Sequence, residues 1–122
     1  MENLPKSMLF VLRQGPHQTP QAREAFDILL MASSFANKIS LLFLSDGLFQ
    51  LIKQQDTTLL AIQNFTSAYK ALTLYDINNV YVAKDDLLAR GLTEADLILA
   101  TTLLDDIEIS ALIAQHDIIL NY

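Results

Sequence analysis

Cysteine is absent from all 122 residues, so no thiolate is available for a structural zinc or an iron–sulfur cluster. Glycine is scarce as well. Gly15, Gly47 and Gly91 stand too far apart for a G-x-G-x-x-G dinucleotide loop or a Walker phosphate loop. Neither an H-E-x-x-H pair nor a carboxylate-rich calcium loop occurs. Apolar runs such as residues 8–12 and 28–32 fall far short of the ~20 residues a membrane helix requires. The opening Met1-Glu2-Asn3-Leu4-Pro5-Lys6 lacks the basic segment and long apolar stretch of a secretory signal, so the expectation is a soluble cytoplasmic protein.

What is present is a chain built to fold. Hydrophobic residues make up 52%, far above what a disordered chain carries, and the length suits one domain over residues 1–122. Such a chain buries roughly two-thirds of its unfolded surface. Charge totals -6 and is uneven. Before Asp76, Lys6, Arg13, Arg23, Lys38, Lys53 and Lys70 offset Glu2, Glu24, Asp27, Asp46 and Asp56. From there on, Asp76, Asp85, Asp86, Glu94, Asp96, Asp105, Asp106, Glu108 and Asp117 meet only Lys84 and Arg90. An acidic half repels phosphate, which argues against direct nucleic-acid binding by that half; it reads most simply as a solvated face, with an acidic docking surface as the alternative.

Apolar periodicity alternates between strand and helix. Residues 8–12 and 39–44 are short continuous apolar runs of the kind that strands buried on both faces show. Residues 80–83, 97–100 and 117–121 supply a third, fourth and fifth strand. Thr19 can cap a helix with Pro20 in its first position, and Ala22, Ala25, Phe26, Leu29, Ala32 and Ala36 continue at helical spacing. A short helix is expected over 47–54 and an amphipathic one through Ile62, Phe65, Tyr69 and Leu72. Residues 85–90 form a helical turn ended by Gly91, and Asp105 or Asp106 starts a helix reaching about residue 115. The reading is an α/β fold: one three-layer domain with a mainly parallel five-stranded sheet and helices on both faces.

Two loops, residues 14–19 and 45–50, stand where a strand hands over to a helix, the region in which open α/β sheets gather ligands. His17 lies in the first and can act as a general base, but no serine or acid beside it completes a triad, and shaping the turn is the simpler role. His116 suits the carboxyl end of the last helix. Thr19 and Arg23 can hold an anion at a helix start, as many helices can. Asp46 and Gly47 read as a cap and a tight strand exit, while Leu48 and Phe49 serve equally as core or as an apolar contact for a partner. Tyr69, Leu72, Leu74 and Tyr75 form an aromatic and aliphatic cluster that reads by default as core and alternatively as a subunit contact, and Lys70 is the only charge over 64–74, which favours an oligomer.

These residues carry a resemblance. Gly15-Pro16-His17-Gln18-Thr19, then Arg23-Glu24, Asp27 and Leu29-Leu30, is similar to the N-terminal pattern of the TusC-type, DsrF-like branch of the DsrE/DsrF sulfur-relay family. Asp46-Gly47-Leu48-Phe49-Gln50-Leu51 resembles the same family's DG-x-F-Q-L segment. Lys70-Ala71-Leu72, Leu74-Tyr75-Asp76-Ile77, Arg90-Gly91-Leu92 and Asp117-Ile118-Ile119-Leu120 match in order and spacing, whereas Gln18 and Ala22 stand where the family often has glycine. The resemblance runs nearly end to end. It implies a DsrE/F-like fold and a place in a TusBCD-like heterohexamer with TusB-like and TusD-like subunits, two copies of each. That assembly relays persulfide sulfur toward 2-thiolation of the wobble uridine in tRNA, through sulfur carrier proteins and a thiolase. The TusD-like subunit carries the reactive cysteine.

A persulfide forms only by thiolate attack, so this chain, lacking cysteine, is expected to be a non-catalytic subunit without a cofactor. Phe49, Tyr75, His17 and Gln50 are the expected partner-contact residues. Two other classes stay open on residues alone: a small α/β hydrolase or transferase using His17 with Asp46, and a homo-oligomeric binder of an anion or nucleotide at Thr19 and Arg23.

Overall fold

The computed structural model describes residues 7–14, 21–34, 38–52, 77, 79–98 and 100–122. Five strands, β1 (Ser7–Leu12), β2 (Lys38–Phe43), β3 (Asn79–Ala83), β4 (Thr102–Leu104) and β5 (Ile118–Asn121), form one sheet in the order β4-β3-β2-β1-β5. Every neighbouring pair is parallel. Parallel strands need crossovers, and helices α1 (Gln21–Ala32), α2 (Lys84–Ala89) and α3 (Asp106–Ala114) lie in these connections.

The first three crossovers step the chain one way across the sheet, from β1 to β4. The last returns it past β3, β2 and β1 to the far edge. Right-handed crossovers running in opposite directions place their helices on opposite faces. The core divides accordingly. Phe10, Leu12, Leu41, Phe43 and Val82 pack on one face with Ala25, Leu29 and Ala32 of α1. Leu9, Val11 and Leu42 pack on the other with Leu112 of α3. Alternate residues of β1 and β2 thus enter different cores, which is why both strands read as unbroken apolar runs.

Helix ends follow their local chemistry. In α2, Gly91 takes φ +69° beyond the last turn; its N–H donates to the Leu88 carbonyl, and the Leu92 N–H donates to that of Leu87. That is the left-handed stop a glycine makes at little cost. Asp105 caps α3: its Oδ1 accepts from the Glu108 N–H at 2.8 Å, and Glu108 Oε1 accepts from the Asp105 N–H at 2.9 Å.

Three expectations need correction. The fourth strand is Thr102–Leu104, not residues 97–100. Leu97 is buried, but it forms an isolated antiparallel bridge with Ile52, and the Ile98 N–H donates to the Leu51 carbonyl at 2.8 Å. An edge strand with exposed Thr102 needs few apolar residues, so the apolar run marked a core anchor instead. The short helix is a 3₁₀-helix over Ser45–Leu51 rather than 47–54. Asp46 lies inside it instead of capping it. The expected helix through 62–72, the aromatic cluster with Tyr69, Leu72, Leu74 and Tyr75, the loop with Gly15, His17, Thr19 and Pro20, and the side chain of Arg23 lie outside the described residues.

Candidate functional site at the carboxyl ends of the strands

At the carboxyl ends of β1, β2 and β3 the backbone is drawn together by a few specific contacts. The Leu44 N–H, just past β2, donates to the Leu12 carbonyl at 3.0 Å, and the Gly47 N–H closes a turn on the Leu44 carbonyl at 2.8 Å. Between them Ser45 adopts φ +50°, the left-handed region that residues with a Cβ seldom occupy. Its N–H is held by Asp86 Oδ2 of α2 at 2.8 Å, so the turn from β2 is fixed by the helix after β3. Gly47 is needed there for room. A Cβ on it would overlap the Leu12 carbonyl oxygen and lie 2.7 Å from the carbonyl carbon.

Charge reinforces this geometry. Arg90 Nη2 lies 3.1 Å from Asp46 Oδ1, and Arg90 Nε reaches the same oxygen at 3.4 Å. Its Nη1 donates to the Asp86 carbonyl at 3.1 Å and stands 3.9 Å from Asp86 Oδ1. One guanidinium, half-buried, therefore ties the 3₁₀-helix to α2. Gln50 is 1% exposed and its Nε2 donates to the Gln14 carbonyl at 2.7 Å, anchoring the start of the first loop. Arg13 Nη2 reaches Asn121 Oδ1 at 3.4 Å, which brings in the end of β5. Phe49, between buried Leu48 and buried Gln50, is 38% exposed.

Of the residues expected at a partner contact, Phe49 presents surface, whereas Gln50 faces inward and supports the segment that carries Phe49. His17 and Tyr75 lie outside the described residues. His116 is at the other end of the sheet, before β5. It follows the last turn of α3, as expected, but is buried: Nδ1 lies 2.8 Å from the Leu112 carbonyl and Nε2 lies 3.0 Å from Ser40 Oγ of β2. A carbonyl only accepts, so Nδ1 donates to Leu112, and Nε2 shares the second hydrogen bond with the Ser40 hydroxyl. Nδ1 thus caps the carboxyl end of α3 through the Leu112 carbonyl, the role its position leads one to expect, while the other ring nitrogen ties that end to β2.

Chemically, the strand-end cluster is a structural clamp. Asp46 Oδ1 is engaged by Arg90, and no group of three or more His, Cys, Asp or Glu among the described residues can hold a metal. No helix among them is long and apolar enough to cross a membrane. Sequence reading gave roles to Asp46 and Gly47 but none to Ser45, Asp86 or Arg90, although Arg90-Gly91-Leu92 carried part of the family resemblance. The spacing of Asp86 in α2 and Arg90 at its carboxyl cap, four apart, was the available signal.

Comparison with known proteins agrees with this architecture. The model of the DsrE/DsrF-like family matches residues 6–122. "Intracellular sulfur oxidation protein DsrF" of Allochromatium vinosum is 37% identical over 98 residues, covering 80% of this chain and 72% of that protein. "Protein TusC" of Buchnera aphidicola subsp. Schizaphis graminum is 34% identical over 96% of this chain and 99% of its own length. A "Protein TusC homolog" of Vibrio vulnificus is 31% identical over 94% and 98%. The crystal structure of the ychN protein from E. coli superposes with a TM-score of 0.77 at 17% identity, covering 96% of this chain and 99% of that one, which shows the fold. A five-stranded parallel sheet with helices on both faces, matched along nearly its whole length by these sequences, places the chain in the DsrE/DsrF-like family.

Proposed function

We propose that this chain is a non-catalytic companion subunit of a cytoplasmic TusBCD-like sulfur-relay assembly, joined by TusB-like and TusD-like chains in two copies each. The assembly passes persulfide sulfur toward 2-thiolation of the tRNA wobble uridine. The observation that carries this reading is the absence of any cysteine in a chain whose relatives bear the names TusC and DsrF. In the relay step a partner thiolate attacks the outer sulfur of a donor persulfide. A new S–S bond forms, the donor's S–S bond breaks, and the donor leaves as thiolate, so no external oxidant or reductant is needed. Serine, threonine and methionine cannot replace the attacking thiolate. The clamp of Asp46, Asp86 and Arg90 supports a holding role, because its polar groups are engaged with one another and shape a loop.

Phe49 is the proposed anchor on that loop, with Tyr75 and His17 completing the contact set and Gln50 supporting Phe49 from behind. Native mass spectrometry of the chain co-expressed with its candidate sister chains tests this. The expected mass corresponds to three kinds of chain, two copies each, and Phe49→Ala weakens association by about tenfold, or 1.4 kcal/mol. Undiminished association of Phe49→Ala would remove Phe49 from the interface. A wild-type chain that ignores its sister chains would remove the assembly reading.

A further inference from the structure

Helix α3 is apolar on its outer side as well as its inner one. Ile109 and Leu112 face the sheet core, while Ile107, Ser110, Ala111 and Ala114 follow one another at helical spacing along the outer side, all exposed. Ile107 is 81% exposed, and Ile113 flanks the stripe at 36%. No charged residue occurs from Ile109 through Gln115. A surface helix normally pairs one apolar stripe with a charged opposite face; a helix apolar all round belongs in an interior. On α1 charge reaches further along the outer side, where exposed Asp27 adjoins Ile28 and stands one turn before Met31, whereas on α3 it stops at Glu108. The rim of the α3 face is acidic: Asp105, Asp106 and Glu108 are exposed at its amino end and Asp117 just beyond its carboxyl end. No lysine or arginine occurs between Gly91 and Tyr122.

We infer that the outer face of α3 docks a sister chain of different sequence whose contact surface is apolar at its centre and basic at its margin. The acidic half that reads in the sequence as a solvated face is, on this inference, the rim of an interface. Charge argues for the occupant. Lysines and arginines around an apolar patch meet Asp105, Asp106 and Glu108 favourably and speed encounter. A second copy of this chain does not fit. A two-fold contact places the same patch on both sides. In an antiparallel pair of α3 helices, the amino-end acids of one copy lie against the carboxyl end and Asp117 of the other, where negative charge is repelled.

The inference rests on the proposed assembly, and its test separates the two. Ile107→Asp is co-expressed with the candidate sister chains beside Met31→Asp, the same kind of change on the 67%-exposed Met31 of α1. Ile107→Asp is expected to weaken association at least tenfold with an unchanged thermal midpoint, and Met31→Asp to leave it unaltered. Ile107→Ser gives a smaller loss in the same direction. Asp106→Lys lowers the association rate and flattens its salt dependence. A complex indifferent to Ile107→Asp, or one broken instead by Met31→Asp, overturns the α3 face while the assembly reading stands. A homodimer of the isolated chain that Ile107→Asp dissociates overturns the choice of occupant. Failure of the wild-type chain to assemble overturns both.

Discussion

Gly47→Ala is expected to destabilise the chain by about 3 kcal/mol, the upper part of the range for overpacked interior sites, and to lower Tm by roughly 10 °C. The added methyl would meet the backbone of Leu12, not a side chain that can swing away. That backbone has little freedom. The Leu12 carbonyl already accepts from the Leu44 N–H, and β1 is paired on both sides, to β2 and to β5. Relief requires separating the turn after β2 from the end of β1, which also disturbs Ser45 in its left-handed conformation and its bond to Asp86. Differential scanning calorimetry checks the magnitude. A change below about 1 kcal/mol would mean the close approach is not rigid. Because the same turn carries Phe49, assembly is expected to suffer along with stability.

The second large effect concerns the buried pair on the other face of the sheet. His116→Ala is expected to cost about 3 kcal/mol, since it opens a cavity beneath the end of α3 and strands the Ser40 hydroxyl. Ser40→Ala removes less volume and leaves Nε2 without its hydroxyl, for about 1–2 kcal/mol. The two losses should not add. Their shared hydrogen bond predicts a coupling of about 1 kcal/mol in a double-mutant cycle read by denaturant unfolding. Additive losses would mean that the 3.0 Å contact contributes nothing. The consequence reaches beyond stability, because this pair seats α3 on β2 and so sets the height of the proposed docking face.

Much of the fold was legible in local pattern. Residues 8–12 and 39–44 announced strands buried on both faces because each alternates its side chains between two cores. Gly91 and the pair Asp105-Asp106 announced helix ends because caps are made by neighbouring residues, and the structure selects Asp105 of the pair. The long-range contacts at either end of the sheet were not legible. Arg90 meets Asp46 across 44 residues, and His116 meets Ser40 across 76. Such pairs exist only once strand order is set, and strand order depends on crossovers that no local window contains. The same limit explains residues 97–100. Leu97 is apolar because it anchors the end of the 3₁₀-helix at Ile52, a partner 45 positions earlier, so its run imitated a strand. Gly47 was singled out as a tight exit, yet its actual constraint is the carbonyl of Leu12 on the neighbouring strand.

The measurement closest to the central claim follows labelled sulfur. A relay reconstituted from this chain and its sister chains, fed a donor persulfide carrying radiolabelled sulfur, is resolved on a denaturing, non-reducing gel. The label is expected on a cysteine-bearing partner and never on this chain, and transfer slows when this chain is left out. Label held covalently by this polypeptide, or transfer indifferent to its omission, would contradict the account.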